Sequence, residues 1–124
     1  MNMIVTLDSS AWIEYFAGSE SGKIVKEYID GSDTIYSSTI ALFEIKHKYI
    51  REGKEWTERM DFIIERSVIV DVDTDLSLLA ADLRHNLHLH SLDALIYATS
   101  KTTKSTLITK DPHFKDIQDV LMLQ

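Results

Sequence analysis

The sequence predicts an α/β protein, specifically a three-layer α/β/α sandwich around a central parallel sheet of four to five strands. Short β-branched runs recur along the 124 residues and alternate with longer amphipathic segments. Such alternation favours a parallel sheet that is covered on both faces and joined by right-handed crossovers. The apolar share of 44%, with one proline and four glycines, is typical of a globular chain, so residues 1–124 are expected to form one domain.

Each predicted strand is a short apolar run bounded by turn-forming or polar residues. The predicted strands are residues 3–7, 34–37, 67–72 and 106–109. Residues 119–123 are expected to add a short fifth strand at an edge of the sheet. Pro112 cannot donate a ladder hydrogen bond, so the fourth strand is expected to end before it.

Six helices are predicted between these strands. They cover residues 11–16, 21–30, 40–53, 55–66, 76–83 and 90–100. Glycines at 18, 31 and 53 end the first three. The residues expected to cap helix N-termini are Ser9 or Ser10, Thr39, Asp73 or Thr74, and Ser91.

Composition excludes several classes of function. The formal charge of −7 disfavours a passive nucleic-acid binder but is compatible with an enzyme that holds cations on carboxylates. The chain has no cysteine, which excludes disulfides, thiolate zinc sites and cysteine nucleophiles. Its N-terminus does not resemble a signal peptide and no run is long enough to span a bilayer. We therefore expect a cytoplasmic protein without a membrane partner.

Four carboxylates are predicted to meet at one edge of the sheet. Asp8 directly follows the first predicted strand, and Asp111 follows the fourth. Glu44 and Asp93 occupy early turns of helices, and a helix that follows a strand begins at that same edge. Each acid also has a simpler interpretation when taken alone, as a helix cap, a partner of the helix dipole or a solvated side chain.

The convergence of these acids points to a metal site. Four carboxylates in one crevice cannot all stay ionised unaided, whereas a hard divalent cation such as Mg²⁺ or Mn²⁺ stabilises them together. Such a cation can activate water and neutralise the charge of a phosphodiester. The hydroxyls of Ser9 and Thr109 are placed to orient a water or a phosphate oxygen.

Four short motifs then resemble a known family. They are DSSAW from Asp8, IALFE ending at Glu44, LHSLDALIYATS around Asp93 and LITKDPHF around Asp111. In this order, over nearly the whole chain, they resemble the PIN-domain ribonucleases, especially the VapC-type toxins of toxin–antitoxin pairs. The resemblance implies a single PIN-like domain that cleaves RNA internally with a divalent metal. It also implies that these four acids are the catalytic, metal-binding quartet, with Ser9 and Thr109 beside it.

The chain also departs from simple expectation near these motifs. Lys110 precedes Asp111, and its charge is expected to weaken metal binding. His88 and His90 flank the helix of Asp93, a position where a histidine can ligate a metal, but both are assigned to surface or capping roles. His113 is in a position to approach the site from its loop, but it is not included among the predicted site residues.

Aromatic residues on the first two helices exceed what the core needs. Trp12, Tyr15, Phe16 and Tyr28 are therefore predicted to contribute to an apolar surface for a second subunit or a partner helix. The expected partners are RNA, a second copy of the chain, and an antitoxin whose arginine pairs with the acidic crevice.

Two alternative functions stay open at this stage. One is a catalytically inactive PIN-like module that only binds protein, although such a chain would be expected to have lost one of its acids. The other is a receiver-like domain in which Asp71 accepts a phosphoryl group beside Thr109 and Lys110. The receiver alternative leaves Glu44 and Asp93 without a role.

Overall fold

The computed structural model describes residues 2–124. In chain order the elements are β1 (Ile4–Leu7), α1 (Ser9–Ala17), α2 (Glu20–Asp30), β2 (Thr34–Ser38), α3 (Thr39–Arg51), α4 (Thr57–Arg66), β3 (Val68–Val70), α5 (Thr74–Leu87), α6 (Ser91–Thr102), β4 (Thr106–Thr109), a 3₁₀ turn (Pro112–Phe114) and β5 (Val120–Met122). None of the helices in this range has the length and apolar character to cross a membrane.

The five strands form one parallel sheet in the order β3-β2-β1-β4-β5. Strand β1 is central, with Val5 level with Ile35 of β2 on one side and Thr106 of β4 on the other. The predicted parallel sheet is confirmed, including the short fifth strand at the edge.

Both faces of the sheet are covered. Successive side chains of a strand point to opposite faces, and Val5, Thr6 and Leu7 are all buried. Helices α1 and α2 pack on each other, as do α5 and α6, and α6 also contacts β1, β2 and β4. This arrangement confirms the predicted α/β/α layers.

The helix starts differ from prediction by one or two residues. Asp8, not Ser9 or Ser10, caps α1. The predicted caps Thr39 and Ser91 are wrong, because both residues already belong to their helices. Ser38 caps α3 instead. Helix α6 begins after His90 without a side-chain cap. Helix α4 begins at residue 57 because the Glu55 carboxylate accepts hydrogen bonds from the backbone of residues 57 and 58. The prediction of Asp73 as a cap is confirmed.

Trp12 belongs to the core, which corrects its predicted place on a partner surface. Its side chain is fully buried, and its indole N–H donates to Ser37 Oγ at 3.0 Å. Ser37 in turn donates to Ser67 Oγ at 2.9 Å, so the polar edge of the ring is satisfied internally. A buried Trp12 cannot contact a partner, whereas Tyr15 and Phe16 are only partly buried.

Candidate active site

The predicted site lies where the strand order changes direction. Strands β1 and β4 are neighbours, but the chain leaves β1 toward β2 and β3 before it returns to β4. In open parallel sheets a crevice forms at such a point, outside the carboxyl ends of the strands. Asp8 follows β1 there, Thr109 ends β4, and Asp111 comes two residues later.

Asp8 is held at this point by three donors. Its side chain is buried and accepts hydrogen bonds from Ser10 Oγ at 2.7 Å, from the N–H of Ala11 at 2.9 Å and from the hydroxyl of Thr109. The residue therefore caps α1 and faces the crevice at the same time. Burial, with a smaller contribution from the negative charge of Asp111, raises the pKa of Asp8 to about 6 against the opposing effect of these hydrogen bonds.

Asp93 and Asp111 meet through His113. The Nδ1 atom of His113 lies 3.1 Å from Asp93 Oδ2 and 3.3 Å from Asp111 Oδ1. Asp93 reaches this point from the first turn of α6, and its pKa is raised by burial and by the nearby charge of Asp111, against the opposing effect of His113. The structure thus brings together two of the four predicted acids in direct contact with one imidazole.

Glu44 projects from α3 toward the same crevice. Ser9 Oγ donates to its Oε1 atom at 3.1 Å. Burial raises the pKa of Glu44, and the negative charges of Asp8, Asp93 and Asp111 add to that rise. Glu44 is therefore within electrostatic range of the other three predicted acids.

Thr109 connects the two loops of the site. Its buried hydroxyl donates to Asp8 and accepts from the N–H of Asp111 at 2.9 Å. Ser10, predicted only as a possible cap, has a comparable position, because it donates to Asp8 and accepts from the N–H of Lys110 at 2.9 Å. Serine and threonine hydroxyls thus connect the Asp8 carboxylate to the backbone of the loop that carries Asp111.

Lys110 points away from the acids, contrary to expectation. Its ammonium contacts Glu14 Oε1 of α1 at 2.7 Å, and this contact lowers the pKa of Glu14. The salt bridge directs the lysine charge to the helix, so it does not neutralise Asp111 as the sequence suggested.

His113 is the site residue that the sequence-based assignment left out. Asp111 Oδ1 accepts a hydrogen bond from the N–H of His113 at 2.9 Å and so caps the 3₁₀ turn that carries the imidazole. The available signal was the spacing in the segment DPHF, in which an Asp–Pro pair starts a tight turn and places the histidine two residues after the acid.

The donor set fits a divalent cation. Single ligand atoms of Asp93, Asp111 and His113 lie within 4.8 Å of one another, so small side-chain movements would close them around one ion with bonds of about 2.1 Å. Carboxylate oxygens suit Mg²⁺ and Mn²⁺, and an imidazole nitrogen shifts the preference toward a transition ion. Burial is the main cause of the raised pKa values of Asp8, Glu44 and Asp93, and the negative charges of neighbouring acids add to it.

Asp8 predicts a pH dependence of the stability of the metal-free protein. Its pKa is 3.8 in the unfolded chain and about 6 in the folded chain, so the folded state binds the proton more tightly. Between these values the free energy of unfolding falls as the pH rises, by about 3 kcal/mol in total. We expect urea denaturation to show this loss from about pH 4 to about pH 7, and Asp8→Asn to reduce it by most of that amount. An equal loss of the free energy of unfolding in the wild type and in Asp8→Asn would show that another group causes the pH dependence.

The receiver-like alternative is not compatible with the sheet. Asp71 follows β3, whereas Thr109 ends β4 and Lys110 follows it, and two strands separate β3 from β4. At about 4.8 Å per strand the separation is about 14 Å, too far for one phosphoryl site.

Comparisons with known proteins identify the family and the fold. Residues 5–120 match the model of the PIN domain family. A toxin–antitoxin complex from Klebsiella pneumoniae contains a chain of similar fold, with a TM-score of 0.80, 24% identity, and coverage of 95% of this chain and 96% of that chain. VapBC2 from Rickettsia felis, bound to a promoter DNA fragment, aligns with a TM-score of 0.76 at 22% identity. The alignment covers 97% of this chain and 97% of that chain.

A third similar structure is VapC20 from Mycobacterium tuberculosis, a sarcin-ricin loop cleaving toxin. It aligns with a TM-score of 0.67 at 17% identity and covers 92% of this chain and 95% of its own. A search of curated protein sequences gives no match. The family match extends over nearly the whole chain, from β1 to β5, and the chain belongs to the PIN domain family.

Proposed function

We propose that this protein is a metal-dependent endoribonuclease and the toxin of a toxin–antitoxin pair. The observation that carries the proposal is the group of acids at the ends of β1 and β4. Asp93 and Asp111 contact the same imidazole, and Glu44 is within electrostatic range of both and of Asp8. The structures of similar fold include a toxin–antitoxin complex and a toxin that cleaves the sarcin-ricin loop.

In this proposal Asp93 and Asp111 hold the cation, with Asp8 and Glu44 beside them and His113 as a further ligand. A bound Mg²⁺ or Mn²⁺ would supply activation of water and neutralisation of the phosphodiester charge. The contribution of the chain is to fix the carboxylates before substrate arrives, since Thr109 and Ser10 hold Asp8 and the 3₁₀ turn holds Asp111.

Glu44 is the residue that we assign to proton transfer. Ser9 Oγ donates a hydrogen bond to Oε1 of Glu44 and so orients the carboxylate. The Oε2 atom is then left to receive a proton from water. Its pKa is raised by burial and by the other three acids, which brings it closer to the pH at which a general base works best.

The test is a cleavage assay with the purified protein and a labelled single-stranded RNA. We expect internal cleavage in millimolar Mg²⁺ or Mn²⁺, no cleavage in excess chelator, and recovery when the metal is returned. Equal cleavage with and without chelator, at the same positions, would contradict the metal dependence. Complete absence of cleavage over a panel of structured and unstructured RNAs would contradict the ribonuclease.

We further propose that a small antitoxin protein silences the site. An acidic crevice is open to a cationic side chain, and the planar fork of an arginine matches a carboxylate better than lysine does. Tyr15, Phe16 and Tyr28 are partly buried, pack on the core, and offer apolar area for the helix of such a partner. Two of the similar structures are toxin–antitoxin assemblies.

Binding of the protein encoded by the adjacent gene tests this partner. Phe16→Ala is expected to weaken the complex at least about tenfold in a titration, because aromatic anchors dominate such interfaces. Leu78→Ala, at an exposed position of α5, is the matched control and should bind normally. Unchanged affinity for Phe16→Ala would exclude this surface.

A homodimer is the remaining partner proposal. Phe43 and Ile50 on α3 are large, exposed apolar side chains, of the kind that subunit contacts cover. Light scattering at high concentration is expected to give twice the 14.2 kDa of the chain. A monomer mass would refute the dimer.

The inactive PIN-like module remains the alternative function. A binding module has no need of these four acids, and all four are present here. Hydroxyls donate to Asp8 and Glu44, while His113 contacts the other two acids. The cleavage assay separates the two functions, because an inactive module would bind its partner and leave every RNA intact.

A further inference from the structure

A second concave feature lies at the turn between α5 and α6. It has a volume of about 660 Å³ and is lined by Ala81, Arg84, His85, His88, Leu89 and His90. We call it the α5–α6 cleft. Its volume lies within the range of pockets that bind small molecules, and it is large enough for a nucleotide.

The cleft is next to the candidate active site. The ring of His90, on its wall, lies 4.7 Å from the ring of His113, measured between centroids. His113 in turn contacts Asp93 Oδ2 at 3.1 Å. An RNA strand whose cleaved phosphate lies among the acids would therefore place a neighbouring nucleotide at this cleft.

The charge of the cleft is opposite to that of the acids. Arg84 donates from Nη1 to the backbone oxygen of Leu89 at 3.1 Å, and it has no carboxylate partner among residues 2–124. Lys110 and Lys101, by contrast, are paired with Glu14 and Asp119. Because guanidinium has five N–H donors, Arg84 keeps donors for an anion.

The surrounding side chains suit a nucleic acid. His85, His88 and His90 offer flat rings for base stacking, and a neutral imidazole still donates one hydrogen bond. Helix α6 also begins at this wall without a side-chain cap. Its first backbone N–H groups lie at the positive end of the helix dipole, which favours an anion there.

We propose that the α5–α6 cleft binds a backbone phosphate of the RNA strand, adjacent to the phosphate that is cleaved, with Arg84 as its main contact. The inference rests on the proposed ribonuclease function and adds to it a substrate subsite. A chain with a formal charge of −7 needs a local cation to bind a polyanion, and this cleft supplies one directly beside the acidic crevice.

The experiment measures binding of a fluorescein-labelled single-stranded RNA to Asp93→Asn protein, in millimolar Mg²⁺ and over a series of KCl concentrations. Adding Arg84→Gln is expected to weaken binding about threefold to tenfold and to lower the slope of log Kd against log[KCl] by about 0.7. A merely structural role of Arg84 would not change that slope. Arg84→Lys, which keeps the charge, should retain it.

Arg51→Gln is the matched control, because it removes the same charge from an exposed position at the far end of α3. It should leave affinity and slope unchanged. In the otherwise wild-type chain Arg84→Gln is expected to raise KM for RNA by the same threefold to tenfold with little change in kcat.

Wild-type slope, affinity and KM for Arg84→Gln would overturn the subsite and leave the ribonuclease intact. A chain that neither binds nor cleaves RNA would overturn both proposals.

Discussion

Asp93→Asn and Asp8→Asn are each expected to lower the rate of metal-dependent RNA cleavage by at least about a hundredfold. Asparagine keeps the size of the side chain but removes its negative charge. In Asp93 that charge faces His113, and in Asp8 it faces Thr109. The measurement is the initial rate of cleavage of a labelled RNA at saturating Mn²⁺.

The fold should survive both substitutions. Asp93 is destabilised by burial and by the charge of Asp111, so its neutralisation is expected to stabilise the metal-free protein by about 1 kcal/mol. Asp61→Asn, at an exposed position of α4, is the matched control and should cleave at the wild-type rate. Full activity of both site variants would show that the assigned acids do not perform the reaction.

Gly22→Ala is expected to destabilise the protein by roughly 3 kcal/mol or more and to lower Tm by on the order of 10 °C. Gly22 lies in the first half of α2, where the helix packs against α1. A Cβ atom there would lie 2.0 Å from the carbonyl oxygen of Glu14 and 2.6 Å from its carbonyl carbon. Both are backbone atoms of α1, so the clash is relieved only if the two helices move apart.

Urea denaturation measures the size of this effect. Glu27→Ala is the control in the same helix, since the side chain is exposed and its loss should change the free energy of unfolding by less than about 0.5 kcal/mol. A change below about 1 kcal/mol for Gly22→Ala would show that α1 and α2 pack less closely than described.

The sequence was sufficient to predict the sheet and the edge at which the acids meet. Apolar runs that end in Asp8 and Thr109 determine where two neighbouring strands stop, and parallel strands stop at the same edge. Glu44 follows from the same rule, because α3 begins directly after β2. Asp93 lies at the start of α6, which leads into β4 and therefore begins near the edge opposite to the one where β4 starts. Periodicity and strand ends therefore located the candidate site.

The details of the site depended on contacts that periodicity does not encode. The partner of Lys110 is Glu14, which is 96 residues away, so the direction of the lysine could not be read from its neighbour Asp111. The position of His113 depends on a single 3₁₀ turn. Trp12 lies on an amphipathic helix with more aromatic residues than the core needed, and only packing decides which of them is buried.

Crystals grown with Mn²⁺ provide the most direct test of the central claim, that these carboxylates hold a catalytic divalent cation. We expect an anomalous difference peak about 2.1 Å from carboxylate oxygens of Asp93 and Asp111, and no such peak in Asp93→Asn crystals grown in the same way. A wild-type crystal that shows no peak in this crevice, or an equally strong peak in both proteins, would contradict the claim.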